Sequence, residues 1–561
     1  MSVKGFINRH HRFLFYSTWL LLTIIQACFT QLQEDEAYYW IYSKFLAWGY
    51  FDHPPMVAIS IRAGTLIFND ELGVRLVFVL FNLGTLFITE KLIDNKKPYL
   101  FYAIAFSLGI LQLGGFLAVP DIPLIFFTCV FLLAYKKYLL QPSWLNVLFL
   151  ILASACMMYS KYHALLIFFF VLLSNLKLLK DYRLYVAALL IILLYFPHLS
   201  WQYRHHWVTF YYQLFERNNK YQLNFTTDYL LSQLLITGPL AGFILWPAVF
   251  KYRPVNTFEK SLKWIITGTI VFFLFSTYKG RVEANWTAPA LVPIIIIGHR
   301  FLSEHDRWRK WLIRLLPYSL LLICIVRVIT IVNIVPVQGI IDHYFTWKDW
   351  VQKQRSVTAN KPTVFLNSYS RAAEYWFYSG RETFSLNNYY DRQNNFAYWP
   401  VEDSLLGKDV YIFDIYSRDF LPEKIQTPLG TVWFGSVNNY HSFVKISVTP
   451  SKDKYSITEK DSLPLLINTA IPPFYLNYLK LHPEVNEDIK LGVFKGIGHY
   501  RRDIPCSITL KDLITRTAQT IKVLPNLPPG NYSLLFAINS NGGMYTANSR
   551  KIKLTVRPAS R

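Results

Sequence analysis

Apolar residues in this chain are gathered into runs of fifteen to twenty-five residues, and runs of that length constrain the fold more than any motif does. A hydrocarbon core about 30 Å thick takes roughly twenty helical residues, because a helix satisfies its own backbone hydrogen bonds in a solvent that offers none. Such runs lie near 13–31, 73–92, 98–118, 121–135, 144–160, 163–179, 184–200, 229–250, 264–278, 286–301 and 312–336. They predict a polytopic α-helical membrane protein of about eleven spans. The short run at 121–135 and the tight break at 160–163 are where a span is most easily miscounted. Phe13–Thr30, behind Lys4, Arg9 and Arg12, has the form of a signal peptide, and Ile25-Gln26-Ala27-Cys28 fits a lipoprotein cleavage site poorly at Gln26. With so many runs following, an uncleaved first span is expected.

A hydrophobic content of 53% against 16% charged residues excludes a disordered chain, a small disulfide scaffold and a purely soluble enzyme. The net charge of +22 would suggest nucleic acid in a soluble protein. Here the cations follow the spans instead. If the N-terminus is cytoplasmic, the cytoplasmic segments hold 20 Lys and Arg and the opposite loops 8, which sets the N-terminus inside and the C-terminus outside. No basic domain with base-stacking aromatics occurs, so no nucleic-acid partner is expected. Of five cysteines, only Cys506 lies outside the apolar runs, so no disulfide or cysteine-based metal framework suggests itself.

The runs cease near Gln338, which divides the chain into a membrane domain, 1–337, and an exported tail. From 338 to 440 the tail alternates strand and helix: Thr363–Leu366 is extended, Tyr369–Tyr378 has helical composition, and Val410–Phe413 is a buried-strand run. These predict a small α/β domain. From 441 to 561, short strands at Phe443–Val448, Ile508–Leu510, Tyr532–Ile538 and Ile552–Val556, the third entered by the turn Pro528-Pro529-Gly530-Asn531, predict an immunoglobulin-like β-sandwich.

Given that topology, the ionisable residues at span ends collect on the outer side. Asp35 and Glu36 follow the first span, and Asp52 and His53 share its loop. Asp121 opens the fourth span, Lys161 separates the fifth from the sixth, and Lys279, Arg281 and Glu283 join the ninth to the tenth. Taken singly, each reads equally as a solvated anchor at a helix end. Together they suit one site at headgroup level. In a helix, adjacent Asp35 and Glu36 point about 100° apart and cannot share a proton, so one is free to accept from a substrate hydroxyl while the other braces a loop.

The bend Gly49-Tyr50-Phe51-Asp52-His53-Pro54-Pro55 holds an acid beside an imidazole, able to supply metal ligands, a cation for phosphate, or a hydrogen-bonded structural turn. Lys279-Gly280-Arg281-Val282-Glu283-Ala284-Asn285-Trp286 brings two cations close together, with Glu283 to orient an arginine or bind a metal; it would serve equally as an anchor beside a tryptophan belt. Lys161, in Ser160-Lys161-Tyr162-His163, adds a third cation. The aromatics Tyr38, Tyr39, Trp40, Trp48, Tyr50 and Phe51 suit a sugar face, a polyprenyl tail or an interfacial belt.

At these residues the sequence resembles the GT-C membrane glycosyltransferases, in the bacterial branch of protein mannosyltransferases and aminoarabinose (ArnT-like) transferases. The likeness spans about residues 10–335. It rests on Asp35-Glu36, the Tyr50–Pro55 bend, Pro120-Asp121-Ile122-Pro123, Ser160-Lys161-Tyr162 and Lys279–Trp286, all in family order. The resemblance implies a GT-C fold in a bacterial inner membrane and a polyprenyl-phosphate-linked sugar donor used on the exported face. It implies Asp35 as the catalytic aspartate with Glu36 in support. Lys161, Lys279, Arg281 and His53 would meet the donor phosphate, with Tyr50, Asp121, Tyr162 and Asn285 as substrate or supporting residues. Asp52 falls where aminoarabinose transferases have a metal-associated acid, so a divalent metal near Asp52 and Glu283 is a further expectation. His53 stands where those enzymes have a phosphate-contacting lysine; histidine is largely neutral near pH 7, which shifts the phosphate role towards Lys161, Lys279 or Arg281.

The expected reaction moves a monosaccharide to a lipid, glycan or protein hydroxyl with inversion. The other classes are a transporter of lipid-linked sugar, which would show ionisable groups at the midplane or paired broken helices, and a catalytically inactive membrane anchor for a glycan-binding tail.

Overall fold

The computed structural model describes residues 3–94, 96–217, 220–334, 337–358, 360–495 and 499–558. The chain divides into two compact units, Met1–Phe345 and Thr346–Arg561.

The first unit is helical. Its elements are α1 (Val3–Phe29), α2 (Glu34–Lys44), α3 (Met56–Thr65), α4 (Glu71–Leu92), α5 (Pro98–Ser107), α6 (Asp121–Leu140), α7 (Trp144–Ser160) and α8 (Ala164–Ser174). There follow α9 (Tyr182–Arg204), α10 (Val208–Tyr211), α11 (Leu223–Ile236), α12 (Gly242–Lys251), α13 (Thr257–Ser276), α14 (Leu291–Glu304), α15 (Asp306–Ile331) and α16 (Gln338–Tyr344). Side-chain caps start several of them: Asp70 accepts from Gly73 N at 3.0 Å, Ser143 from Asn146 N at 3.3 Å and Asn256 from Glu259 N at 2.9 Å.

Among the described residues, six helical segments are long and apolar enough to cross a membrane: Asn8–Phe29, Glu71–Leu92, Asp121–Leu140, Tyr182–Arg204, Ala284–Glu304 and Asp306–Ile331. The other expected runs are also helical, but shorter, interrupted or more charged. The run at 98–118 is α5 followed by a π-helical turn at Ile110–Gly114, and that at 229–250 is split between α11 and α12. The run at 264–278 lies in α13, which also carries Glu259, Lys260 and Lys263. Residues 335 and 336 of the last run lie outside the described residues.

The two interruptions meet. Gly238, at φ +104°, lies so close to Ser107 that a Cβ would sit 2.0 Å from its carbonyl oxygen, and a Cβ on Gly109 would sit 2.7 Å from Leu235 O. Only glycine permits that approach. The breaks are thus filled by backbone, and neither 107–109 nor 237–241 contains an ionisable residue. Beside the π turn, buried Arg327 of α15 donates to Leu22 O at 2.8 Å and to Gln112 Oε1 at 2.9 Å, tying α15 to α1 and to the segment that leads into residues 115–121.

Between α1 and α4 the connection is itself helical, as α2 and α3. At the far end of the unit α16 returns to this region, where Gln31 Nε2 donates to Phe345 O and Gln33 Nε2 to Tyr344 Oη, each at 3.4 Å.

In the second unit, β1 (Thr363–Leu366), β2 (Thr383–Leu386), β3 (Val410–Asp414), β4 (Glu423–Thr427) and β5 (Gly430–Val437) form a mixed sheet of order β2-β1-β3-β5-β4. Its parallel part pairs β1 with β2 and β3, and α18 (Tyr369–Ser379), after α17 (Trp347–Thr358), supplies the β1–β2 crossover. The remaining strands are β6 (Ser447–Pro450), β7 (Lys454–Thr458), β8 (Leu463–Ala470), β9 (Asp488–Lys495), β10 (His499–Thr509), β11 (Ala518–Val523), β12 (Gly530–Asn539), β13 (Tyr545–Ala547) and β14 (Ile552–Arg557). They make one sheet of order β10-β9-β12-β14-β7, with β13 on β12, and a second of order β11-β8-β6. Leu465, Ile467 and Ile521 of one sheet meet Leu491, Leu534, Phe536 and Leu554 of the other in a shared core, the alternation expected of a sandwich.

Two local expectations change. The strand expected from Phe443 begins only at Ser447, because Phe443 sits at φ +55° and Asn548 Nδ2 donates to both Phe443 O and Ile446 O, fixing a turn. Leu510, expected to end a strand, instead opens a helix to Thr515, with Thr509 and Asp512 forming a capping box.

Candidate active site

The candidate residues fall into three clusters and a hydrogen-bonded bend, each built where a helix ends. In the first, the opening turn of α2 carries Glu34, Asp35 and Glu36. Asp35 is exposed and Glu36 is fully buried. Arg75, inside α4, donates from Nε to Glu36 Oε1 at 2.8 Å and from Nη2 to Oε2 at 2.5 Å. The same guanidinium donates to Ala27 O, Thr30 O and Gln31 O at 3.0, 2.6 and 2.9 Å, collecting the last turn of α1. Glu36 also accepts from Gln33 N at 3.0 Å and Ala118 N at 2.9 Å. A buried bidentate pair with every oxygen satisfied is a rigid brace. Glu36 is therefore the loop-bracing carboxylate, whereas Asp35, one residue earlier, is exposed, as is Glu34.

The segment that gives Ala118 to Glu36 enters α6 three residues later at Asp121. Asp121 Oδ1 accepts from Lys161 Nζ at 2.7 Å and Oδ2 from Asn285 Nδ2 at 2.8 Å. Asp121 and Lys161 are both buried. This second cluster joins α6, the end of α7 and the 3-10 turn Ala284–Ala290 that leads into α14. The expected phosphate ligand Lys161 is thus already paired. Asn285, nine residues after the end of α13, serves here as the neutral partner that shares Asp121.

In the bend at 49–55, Tyr50 is buried, stacked on Tyr42 at 4.0 Å, and its hydroxyl donates to Tyr42 O at 3.1 Å and Phe45 O at 3.2 Å. Tyr42 Oη donates to Asp52 Oδ2 at 3.4 Å. Burial pushes both phenols upward, so they remain donors. Gly49 has no room for a Cβ, which would fall 2.6 Å from the Trp201 ring. The Tyr50 carbonyl accepts from Thr209 Oγ1 at 3.2 Å, and Gln202 Nε2 donates to Thr209 Oγ1 at 2.8 Å and to Tyr162 Oη at 3.0 Å. His198 lies 2.7 Å from Trp48 O through Nδ1 and 2.9 Å from Tyr162 Oη through Nε2. With Nδ1 donating to the carbonyl, Nε2 of the neutral ring accepts from Tyr162. This network ties Tyr50, Asp52 and Tyr162 together. His53 is half-buried, its ring 5.5 Å from that of Tyr39, and its carbonyl accepts from Tyr50 N at 3.1 Å.

The third cluster is cationic. Lys279 and Arg281 are exposed, and Glu283 lies 3.8 Å from Arg281 and 3.5 Å from Arg217. Arg217 also stacks over Trp286 at 4.5 Å, and Trp286 packs 5.5 Å from His163, two residues after Lys161. Arg217 was not among the expected site residues. Its position in a polar connection between α10 and α11 marks it only as one more loop cation, and only the fold brings it to Glu283.

The donor set expected for a metal does not fit one. Glu283 is committed to two arginines, Asp52 is held through a tyrosine, and among the described residues no three His, Cys, Asp or Glu side chains group as a metal site.

A many-helix membrane unit with charged clusters at helix ends and a sheet-rich second unit is the architecture of the GT-C fold, and comparison with solved structures shows that fold here. The crystal structure of ArnT from Cupriavidus metallidurans in the apo state superposes with a TM-score of 0.56 at 12% identity, covering 76% of this chain and 98% of that one. The same protein bound to undecaprenyl phosphate gives 0.55 at 12%, covering 77% and 98%. Residues 52–201 match the dolichyl-phosphate-mannose-protein mannosyltransferase family. The lipid A galacturonosyltransferase RgtD of Rhizobium johnstonii is 24% identical over 302 residues, or 50% of this chain; the match spans 63% of that relative, less than two thirds of its length. The resemblance to ArnT-like GT-C proteins drawn from the ordered motifs therefore holds.

Proposed function

We propose that this chain is a membrane glycosyltransferase that moves a monosaccharide from a polyprenyl-phosphate donor to a hydroxyl of a lipid acceptor. The observation that carries the reading is the division of labour between neighbours: Glu36 is locked to Arg75, which leaves Asp35 exposed on a fixed helical turn beside the segment that holds Asp121, Lys161 and Asn285. The solved neighbour bound to undecaprenyl phosphate supports the donor class, and the lipid A galacturonosyltransferase relative supports a lipid acceptor. The distribution of Lys and Arg supports a cytoplasmic N-terminus and an exported second unit in a bacterial inner membrane.

The chemistry follows from the leaving group. A phosphate departs without protonation, so it needs neutralising charge, whereas the acceptor alcohol needs an acceptor for its proton. In this reading the alcohol oxygen attacks the anomeric carbon, Asp35 takes the hydroxyl proton, and the carbon–oxygen bond to phosphate breaks with its electron pair leaving on the phosphate. One displacement inverts the centre. Exposed Lys279 and Arg281, with half-buried Arg217, offer charge for the phosphate, while Lys161 keeps Asp121 and the α6 entrance in place.

The broken helices of α5 and α11–α12 do not favour transport, since their breaks close glycine against backbone. The test is transfer of radiolabelled sugar from a synthetic polyprenyl phosphate to extracted lipid by the purified protein, alongside mass spectrometry of lipids from cells with and without the chain. Labelled lipid product and one missing monosaccharide are expected. Movement of the donor across liposomes without product would overturn the reading.

A further inference from the structure

The end of the first unit remote from Asp35 carries a feature that the transfer reaction leaves unused. Between the start of α5 and the first three turns of α15 lies a groove of about 560 Å³, lined by Lys97, Leu100, Arg309, Lys310, Ile313 and Arg314, with Tyr99 at its edge. Its place along the bundle is fixed by Tyr99 Oη, which donates to Asn8 Oδ1 at 2.8 Å, where the first span begins. Asp35 follows the other end of that span.

Helical spacing explains the lining. Lys310 and Arg314 are four residues apart and Ile313 four from Arg309, so two cations and an isoleucine share one face of α15. Across the groove Leu100 is buried, whereas Lys97, Lys310, Ile313 and Arg314 are exposed. Lys97 is held over the α14–α15 connection by donating to Ser303 O at 2.5 Å, and Arg309 is held there by Asp306 at 2.6 Å. Four cations thus line the groove, of which Arg309 pairs with Asp306, above an apolar floor in a helix long enough to cross a membrane. A soluble anion has no use for Leu100 and Ile313, and an acyl chain alone has none for the cations; a phosphodiester attached to acyl chains uses both.

We propose that this groove binds one anionic phospholipid in the leaflet where α1 begins, opposite the leaflet of the Asp35 site. The phosphodiester would sit among Lys97, Lys310 and Arg314, with its acyl chains along Leu100 and Ile313.

The test uses full-length protein, delipidated in detergent and titrated with phosphatidylglycerol, phosphatidylcholine or inorganic phosphate, with retained lipid read by native mass spectrometry. Wild type is expected to retain one phosphatidylglycerol at least fivefold more strongly than phosphatidylcholine, with millimolar phosphate failing to displace it. K310Q/R314Q should lose that preference. The charge-preserving K310R/R314K should keep it, as should K177Q/K180Q, which removes cations from another helix end. Equal retention of both lipids by wild type, complete displacement by phosphate, or an equal loss in K177Q/K180Q would each overturn the proposal. If K310Q/R314Q does not fold, loss of the preference in K310R/R314K would also count against it.

Discussion

Glu36 and Arg75, thirty-nine residues apart, face each other in a fully buried bidentate pair, Nε to Oε1 at 2.8 Å and Nη2 to Oε2 at 2.5 Å. Because Arg75 also gathers three carbonyls at the end of α1, this pair fixes the turn on which Asp35 stands. Removing one partner strands the other charge, so E36Q or R75M should cost about 3–5 kcal/mol. Thermal unfolding of the purified protein should show the loss, and activity should fall with it. A Glu36→Gln protein as stable as wild type would mean that the pair is not a brace.

Asp121 and Lys161 form a second buried pair, shared with Asn285. K161M leaves a buried carboxylate with only its amide partner and should lose about 3–5 kcal/mol. D121N/K161M removes both charges and should recover most of that stability without recovering transfer. The double-mutant cycle in thermal stability checks this, with a coupling energy of about 3 kcal/mol expected; additive effects would uncouple the two residues.

Arg217 is held between Glu283 and the Trp286 ring, which leaves guanidinium nitrogens beside the exposed Arg281. If it meets the donor phosphate, R217A loses a charge-assisted contact of about 1.5–3 kcal/mol, roughly a 10- to 100-fold fall in kcat/KM for the donor. KM for the lipid acceptor should be unchanged. An acceptor KM that rises as much as the donor KM would assign Arg217 to the other substrate.

The main elements of the fold were legible because membrane helices announce themselves by length: each of the eleven apolar runs overlaps a helix or helix pair. Their interruptions were not legible, since the glycines at 109 and 238 matter only through the backbone that faces them. At the candidate site, order along the chain pointed to Asp35, Asp121, Tyr162 and Asn285, but nothing local shows which partner a charge finds. Arg75 reads as one cation inside an apolar run, yet it decides the role of Glu36. Lys161 reads as a free cation until the fold sets it against Asp121. In the sandwich, Phe443–Ile446 has strand composition, and only Asn548, about a hundred residues later, turns it into a loop.

The second unit should respond to acid through Glu487. The hydrogen bond from His441 at 2.7 Å holds its carboxyl below the ordinary value. A carboxyl depressed in the folded state contributes stability above its unfolded pKa, and that contribution is lost as pH falls through the folded value. Wild-type full-length protein followed by circular dichroism should therefore melt earlier as pH falls below the ordinary carboxylate range. E487Q should lose about 1–3 kcal/mol at pH 7 and show a flatter acid limb. An unchanged acid limb would place the sensitivity elsewhere.

The most direct measurement is the single-turnover rate of sugar transfer by Asp35→Asn protein in liposomes supplied with polyprenyl-phosphate-linked sugar and lipid acceptor, with thermal stability measured on the same preparation. Asp35 is exposed and Glu36 carries the buried brace, so D35N should unfold with wild type while its rate falls by about 10²–10⁴-fold. A D35N protein that is stable and transfers sugar at the wild-type rate would contradict the assignment of Asp35 as the group that receives the acceptor's proton.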